Sequence, residues 1–200
     1  FSTSTDTNNT AVGFSAGATI TTGLRNTLMG SLAGDALTDA DDNVAVGGLA
    51  LTSDTLGSKT TAIGRGALGS QNFTTATDSL NTAVGYFAGQ AVTTGIRNTL
   101  IGTAAGDALT DADLNVAVGQ QALSLDTLGS KSTAVGTIAL ANQNFTTATD
   151  SHNSALGYQA GVNVTTGIKN TLIGSEAGDA LTDADNNVAI GYQALTTEDI

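Results

Sequence analysis

One short phrase returns along this chain at a fixed interval. Asn9-Thr10-Ala11-Val12-Gly13 recurs as Asn81-Thr82-Ala83-Val84-Gly85 and as Asn153-Ser154-Ala155-Leu156-Gly157, 72 residues apart each time. Longer strings share that interval: GDALTDAD begins at Gly34, Gly106 and Gly178, DTLGSK at Asp54 and Asp126, QNFTTATDS at Gln71 and Gln143. Inside each unit lies a shorter repeat, aligned on Gly13, Gly30, Gly47 and Gly64, then Gly85, Gly102, Gly119 and Gly136, then Gly157, Gly174 and Gly191. The steps are 17, 17, 17 and 21 residues. An aliphatic residue precedes the glycine in every copy, and Ala stands three residues after it (Ala16 through Ala194). Repeats at a fixed short period imply stacked units that bury a core only against their neighbours.

A period of 17 with a β-branched run before Gly is too short for a helix pair or a propeller blade. It predicts an all-β fold, a parallel β-solenoid of about eleven coils of 17 or 21 residues, stacked at about 4.8 Å. Each coil is expected to hold a strand before the glycine, a turn at it, and a second strand around the following Ala. The recurring Asn is expected to stack as a ladder bonding the local backbone. Composition agrees: Thr, Ala and Gly are 34, 31 and 25 of the 200 residues, and Pro, Cys and Trp are absent. Such a chain can fill only a thin core, and proline would delete a rung of the hydrogen-bond ladder. Residues 1–8 read as a lead-in from a preceding segment, 9–80 and 81–152 as two super-repeats, and 153–200 as a truncated third, all one solenoid cut from something longer.

Side chains alternate along a strand, so the strand's central residue faces opposite to its two neighbours. Placing the larger aliphatic slot inside leaves the central slot outside: Ala11, Leu28, Ala45, Ala62, Ala83, Leu100, Ala117, Ala134, Ala155, Leu172 and Ala189. That column would be an exposed apolar stripe, and is expected to be an oligomer seam. The competing reading is a wider coil that encloses both faces.

The Asn-Thr-Ala-Val-Gly-x-x-Ala copies resemble the head repeats of YadA-like trimeric autotransporter adhesins and the NTAVG-type repeats of phage tail fibres. The resemblance runs from Asn9 to Leu195. It implies a left-handed parallel β-roll with three chains around a common axis, serving as an extracellular or virion fibre. Two departures stand out: the copies are longer than the family's usual coil, and these 200 residues hold no recognisable neck, coiled-coil stalk, anchor or chaperone domain.

Asp39, Asp41 and Asn43, repeated as Asp111, Asp113 and Asn115 and as Asp183, Asp185 and Asn187, present alternate oxygens of the kind a hard cation takes, so calcium is a possible ligand. The Gly and Glu of an EF-hand loop are missing, Val44 standing at the sixth position, and ordinary turn roles compete. The four-residue insertions predict bulges at 71–78 and 143–150, offering Phe73 and Phe145 to a glycan or a protein; the competing reading, which is favoured, has the rings fill space under a long loop or at a chain–chain seam. Arg25, Arg97 and Lys169 in one slot, and Lys59 and Lys131 in another, are expected to pair with Asp on neighbouring coils or chains.

Net charge is −12, which repels phosphate backbones and anionic lipid, so neither nucleic acid nor membrane is an expected partner. His152 is the single histidine, and Leu80 stands at its counterpart one unit earlier. No nucleophile–base set can be named, so the chain is not expected to be an enzyme. The functional expectation is the shaft of an extracellular, cell-surface or virion fibre, homotrimeric and needing no cofactor, that holds a receptor-binding tip. The alternative is a calcium-dependent module binding glycans along the rod.

Overall fold

Each copy of the repeat supplies one three-residue strand that ends just before its glycine. These are Thr10–Val12 (β1), Thr27–Met29 (β2), Val44–Val46 (β3), Thr61–Ile63 (β5), Thr82–Val84 (β7), Thr99–Ile101 (β8), Val116–Val118 (β9), Thr133–Val135 (β11), Ser154–Leu156 (β13), Thr171–Ile173 (β14) and Val188–Ile190 (β15). In the computed structural model, which describes residues 6–197, they form an 11-stranded sheet in which every neighbouring pair is parallel and taken in chain order. The register keeps slot against slot: Ala11 pairs with Leu28, Leu28 with Ala45, Ala45 with Ala62, and Ala62 with Ala83 across the 21-residue step. Four two-residue strands make two further parallel pairs, Gly57–Ser58 (β4) with Thr77–Asp78 (β6) and Gly129–Ser130 (β10) with Thr149–Asp150 (β12). The fold is a parallel β-solenoid of eleven turns, with no helix among the described residues.

The second strand expected around the following Ala is absent, and a tight turn stands in its place. Its backbone is left-handed two and four residues after the glycine, as at Leu49 (φ 62°) and Leu51 (φ 53°), and again five residues before the glycine, as at Arg25 (φ 57°). Left-handed backbone costs an L-residue about 1–2 kcal/mol. Stacking overrides that preference, because the same turn in the next coil supplies hydrogen bonds: Leu49 N–H donates to Ser31 O at 2.9 Å and Gly34 N–H to Ala50 O at 2.9 Å. The aligned glycines have a different need. Gly30 holds φ +140°, and a Cβ there would lie 2.6 Å from the carbonyl carbon and oxygen of Gly47. No side chain fits between coils at that height.

The orientation of the strand is the reverse of the sequence expectation. From Leu28 to Ala189 the central slot is 0–2% exposed and lines the core, so it is not an outward seam; only Ala11, on the first coil, is exposed. The flanking slots face outward, with Met29 at 47%, Ile101 at 38% and Leu156 at 51% exposure. The cause is the width of the coil. The central slot meets the Ala slot (Ala33, Ala50, Ala105) inside, and little room remains. Where the centre is Leu28, Leu100 or Leu172, glycine stands four residues after the aligned glycine, and a Cβ added to Gly106 would lie 2.7 Å from a methyl of Leu100. Where the centre is Ala45, Ala62, Ala117 or Ala134, that position is Leu51, Leu68, Leu123 or Leu140, all fully buried. In these coils the big and small residues exchange places and keep the interior full, whereas Ala83 with Gly89 and Ala155 with Gly161 leave room for the Leu100 and Leu172 methyls of the next coil. A β-branched residue in every central slot would overfill it.

The Asn column is a buried ladder, and its bonds run between coils as well as within them. Asn98 Nδ2 donates to Ala112 O at 2.7 Å, while its Oδ1 accepts the backbone N–H of Asn115 at 2.9 Å. Asn26, Asn81, Asn115, Asn153 and Asn170 make the same two contacts one coil apart. Each amide satisfies two main-chain groups that the sheet leaves free, as buried polar groups require.

Candidate functional site

The acidic motif does not gather into one cage. Leu24 N–H donates to Asp41 Oδ1 at 2.7 Å, Ile96 N–H to Asp113 Oδ1 at 2.8 Å and Ile168 N–H to Asp185 Oδ1 at 2.7 Å, each to the coil 17 residues on. Thr22 and Thr94 hydroxyls donate to Asp39 Oδ1 (2.5 Å) and Asp111 Oδ1 (2.6 Å), and Thr182 to Asp183 Oδ1 at 3.3 Å. Asn43 and Asn115 are spent in the ladder, and Asn187 N–H donates to Asn170 Oδ1. Among the described residues, no three acidic or histidine side chains converge as a cation would need. Apart from Asp183, whose partner is its own chain neighbour, these residues stitch one coil to the next.

Phe73 and Phe145 are buried to 6% exposure, so they fill space under their loops and are not displayed to a ligand. The tips, Thr74 to Ala76 and Thr146 to Ala148, face solvent, as do Asn72, Asp78, Asn144 and Asp150. The rings lie beneath their loops beside a buried polar cluster that the sequence reading missed. Asp54 is fully buried, yet its Oδ1 accepts N–H groups from Gly57 and Phe73 at 3.0 Å each, and its Oδ2 accepts Gln71 Nε2 at 2.6 Å. Gln71 also donates to Thr60 Oγ1 at 3.0 Å and accepts Asn81 Nδ2 at 2.9 Å. Thr60 is where the ladder lacks an amide, so Gln71, from the longer coil, reaches back to replace it. Asp126, Gln143, Ser132 and Asn153 repeat the arrangement. The signal was present in the sequence: the two ladder gaps, Thr60 and Ser132, fall in the same units as Asp54, Gln71, Asp126 and Gln143.

The bases of the two expected slots occupy one. Arg25, Lys59, Arg97, Lys131 and Lys169 all stand five residues before the aligned glycine. Arg25 Nε donates to Asp42 Oδ1 at 2.6 Å, and Lys59 and Lys131 pair with Asp78 and Asp150 at 2.5 Å. Arg25 holds the Asp42 carboxyl below its ordinary range through that hydrogen bond. Such solvent-screened pairs contribute little to stability.

What the outside of the solenoid offers is the sheet itself. Its two outward columns run Thr10, Thr27, Val44, Thr61 and onward, and Val12, Met29, Val46, Ile63 and onward; none of these positions is charged in any of the eleven strands. The face is uncharged and continuous, one column mostly threonine and the other aliphatic, and no pocket interrupts the described surface. No helix among the described residues is long and apolar enough to cross a membrane. Compared with family models, with curated proteins and with solved structures, the chain matches none.

Proposed function

We propose that this chain is a stiff structural shaft, a segment of an extracellular, cell-surface or virion fibre that holds a binding tip away from its base. The observation that carries the reading is the unbroken parallel sheet, in which strands add in chain order and each coil repeats the last. Every added coil lengthens the rod by about 4.8 Å without widening it, which is the geometry of a spacer. Stacked ladders of backbone, Asn and Gln hydrogen bonds resist bending, and the acidic flanks favour solubility.

In this reading three left-handed rods, as the family resemblance implies, pack around one axis through the outward Thr/Val and aliphatic columns. Polyanions repel along their charged flanks and approach best where charge is missing. Two outward residues per strand over eleven strands also meet the roughly 20 residues a side of a stable interface. Self-association thus moves from the Ala/Leu column to its neighbours. Sedimentation equilibrium tests it. The chain should weigh three times 19.7 kDa, and Ile101→Lys with Ile173→Lys, both at exposed positions, should return it to a single chain that is still folded. A parent mass of one chain at the highest soluble concentration would remove the trimer.

A further inference from the structure

One coil breaks the repeat. At the two positions after the aligned glycine, Arg65-Gly66 ends the first unit and Tyr86-Phe87 begins the second, where 72 residues later stand Thr137-Ile138 and Tyr158-Gln159. These departures meet in space. The Arg65 guanidinium carbon lies 5.1 Å from the centre of the Phe87 ring and 5.9 Å from that of Tyr86, and the rings are 4.1 Å apart, tilted by 48°. Gly66 makes the cluster possible, because a Cβ there would run into the edge of the Phe87 ring.

A shaft needs none of this, since the next unit stacks equally well without it. The ion pairs among the described residues go to Arg25, Lys59 and Lys131, whereas Arg65 rests on two rings that accept none of its N–H bonds. The guanidinium is therefore oriented by its aromatic neighbours with its donors free. Tyr86 is 49% exposed beside it. No acid stands at either position after the glycine in this coil or its two neighbours.

We propose that Arg65, Tyr86 and Phe87 form a binding site for a carboxylated sugar, the carboxylate taken by the guanidinium fork and the ring face laid on the exposed tyrosine. Charge-assisted paired hydrogen bonds suit a carboxylate, and an amphipathic ring with an apolar face suits a flat pyranose. An acidic peptide is served less well: the surface has no groove, and the interior strands of the sheet, paired on both sides, offer no edge to extend. The site is independent of the shaft reading, and either can fail alone.

The repeat supplies its own control. Arg65→Thr, Gly66→Ile and Phe87→Gln together install the residues that stand one unit later, a combination this fold already accommodates. The 200-residue chain is titrated with a short oligogalacturonate and with the neutral galactose oligomer of equal length, following the ring protons of Tyr86 and Phe87 by NMR. The acidic sugar should shift those rings, and the neutral one should bind about tenfold more weakly, the loss of one charge-assisted hydrogen bond or more. Arg65→Thr alone, an exposed change, should weaken acidic-sugar binding to the same degree, and the triple variant, scored by tyrosine signals, should abolish it. Unmoved rings, equal affinity for the neutral sugar, binding that survives Arg65→Thr, or an equal response to a poly-glutamate peptide would each overturn the site.

Discussion

At the scale of single residues, the fold is governed by positions where the backbone, and not the side chain, sets the identity. The glycine column is the strictest. Replacing Gly102 with Ala asks for a Cβ against the backbone of Gly119 at φ +134°, and should cost more than about 3 kcal/mol in urea unfolding. Ile138 presents the opposite case, a β-branched residue in left-handed backbone at φ 62°; Ile138→Gly should gain about 1 kcal/mol by relieving that strain. Asp107 gives a pH prediction. Its Oδ1 is buried without a partner, and burial raises its pKa above the ordinary carboxylate value, whereas Asp35 in the preceding unit accepts the Thr52 hydroxyl at 2.6 Å. A raised native pKa means that the ionised group opposes folding at neutral pH, and that the penalty disappears as pH falls below the unfolded value of about 3.8. Asp107→Asn should therefore stabilise the chain at neutral pH, with a gain that shrinks through the acid range in denaturation curves. An unchanged difference at both ends of that range would contradict the assignment.

The element that repeats is the coil, and most of it is legible in the sequence. The spacing of the glycines predicts eleven strands in parallel register, and the register places Ala11 against Leu28 and Ala62 against Ala83 as the alignment does. The direction of the strand was harder. Larger side chains ordinarily face the core, so Val46 and Ile63 read as interior and Ala45 and Ala62 as exterior; the coil is too narrow for that, and the order reverses. A clue lay in the covariation of Leu28, Leu100 and Leu172 with Gly34, Gly106 and Gly178, against that of Ala45 and Ala62 with Leu51 and Leu68. Only residues that share a volume compensate one another in size. Phe73 follows from a related constraint: four extra residues read as a bulge, and a fully buried Asp54 and Gln71 draw the start of the insertion inward and leave the ring beneath the loop. The Asn ladder was expected, though its reach to the next coil is a matter of geometry no single-residue pattern reveals. Asn98→Ala would orphan the N–H of Asn115 and the carbonyl of Ala112, at about 1–3 kcal/mol for each group left unpaired. Hydrogen exchange should quicken first at those two coils. Protection unchanged there would show that the amide does not carry the stack.

For the whole molecule, length is decoupled from width. The interior is one coil across wherever the chain is cut, from Leu28 through Leu100 to Leu172, so adding sequence adds height alone. The outward columns of the sheet carry no charge in any strand, and the charged residues lie elsewhere on the coil. Small-angle X-ray scattering of this chain beside one extended by a further copy of residues 81–152 tests the claim most directly. Four more coils should increase the longest dimension by about 19 Å at about 4.8 Å each, with the cross-sectional radius unchanged. Growth in both dimensions, as a globule gains mass, would contradict the account.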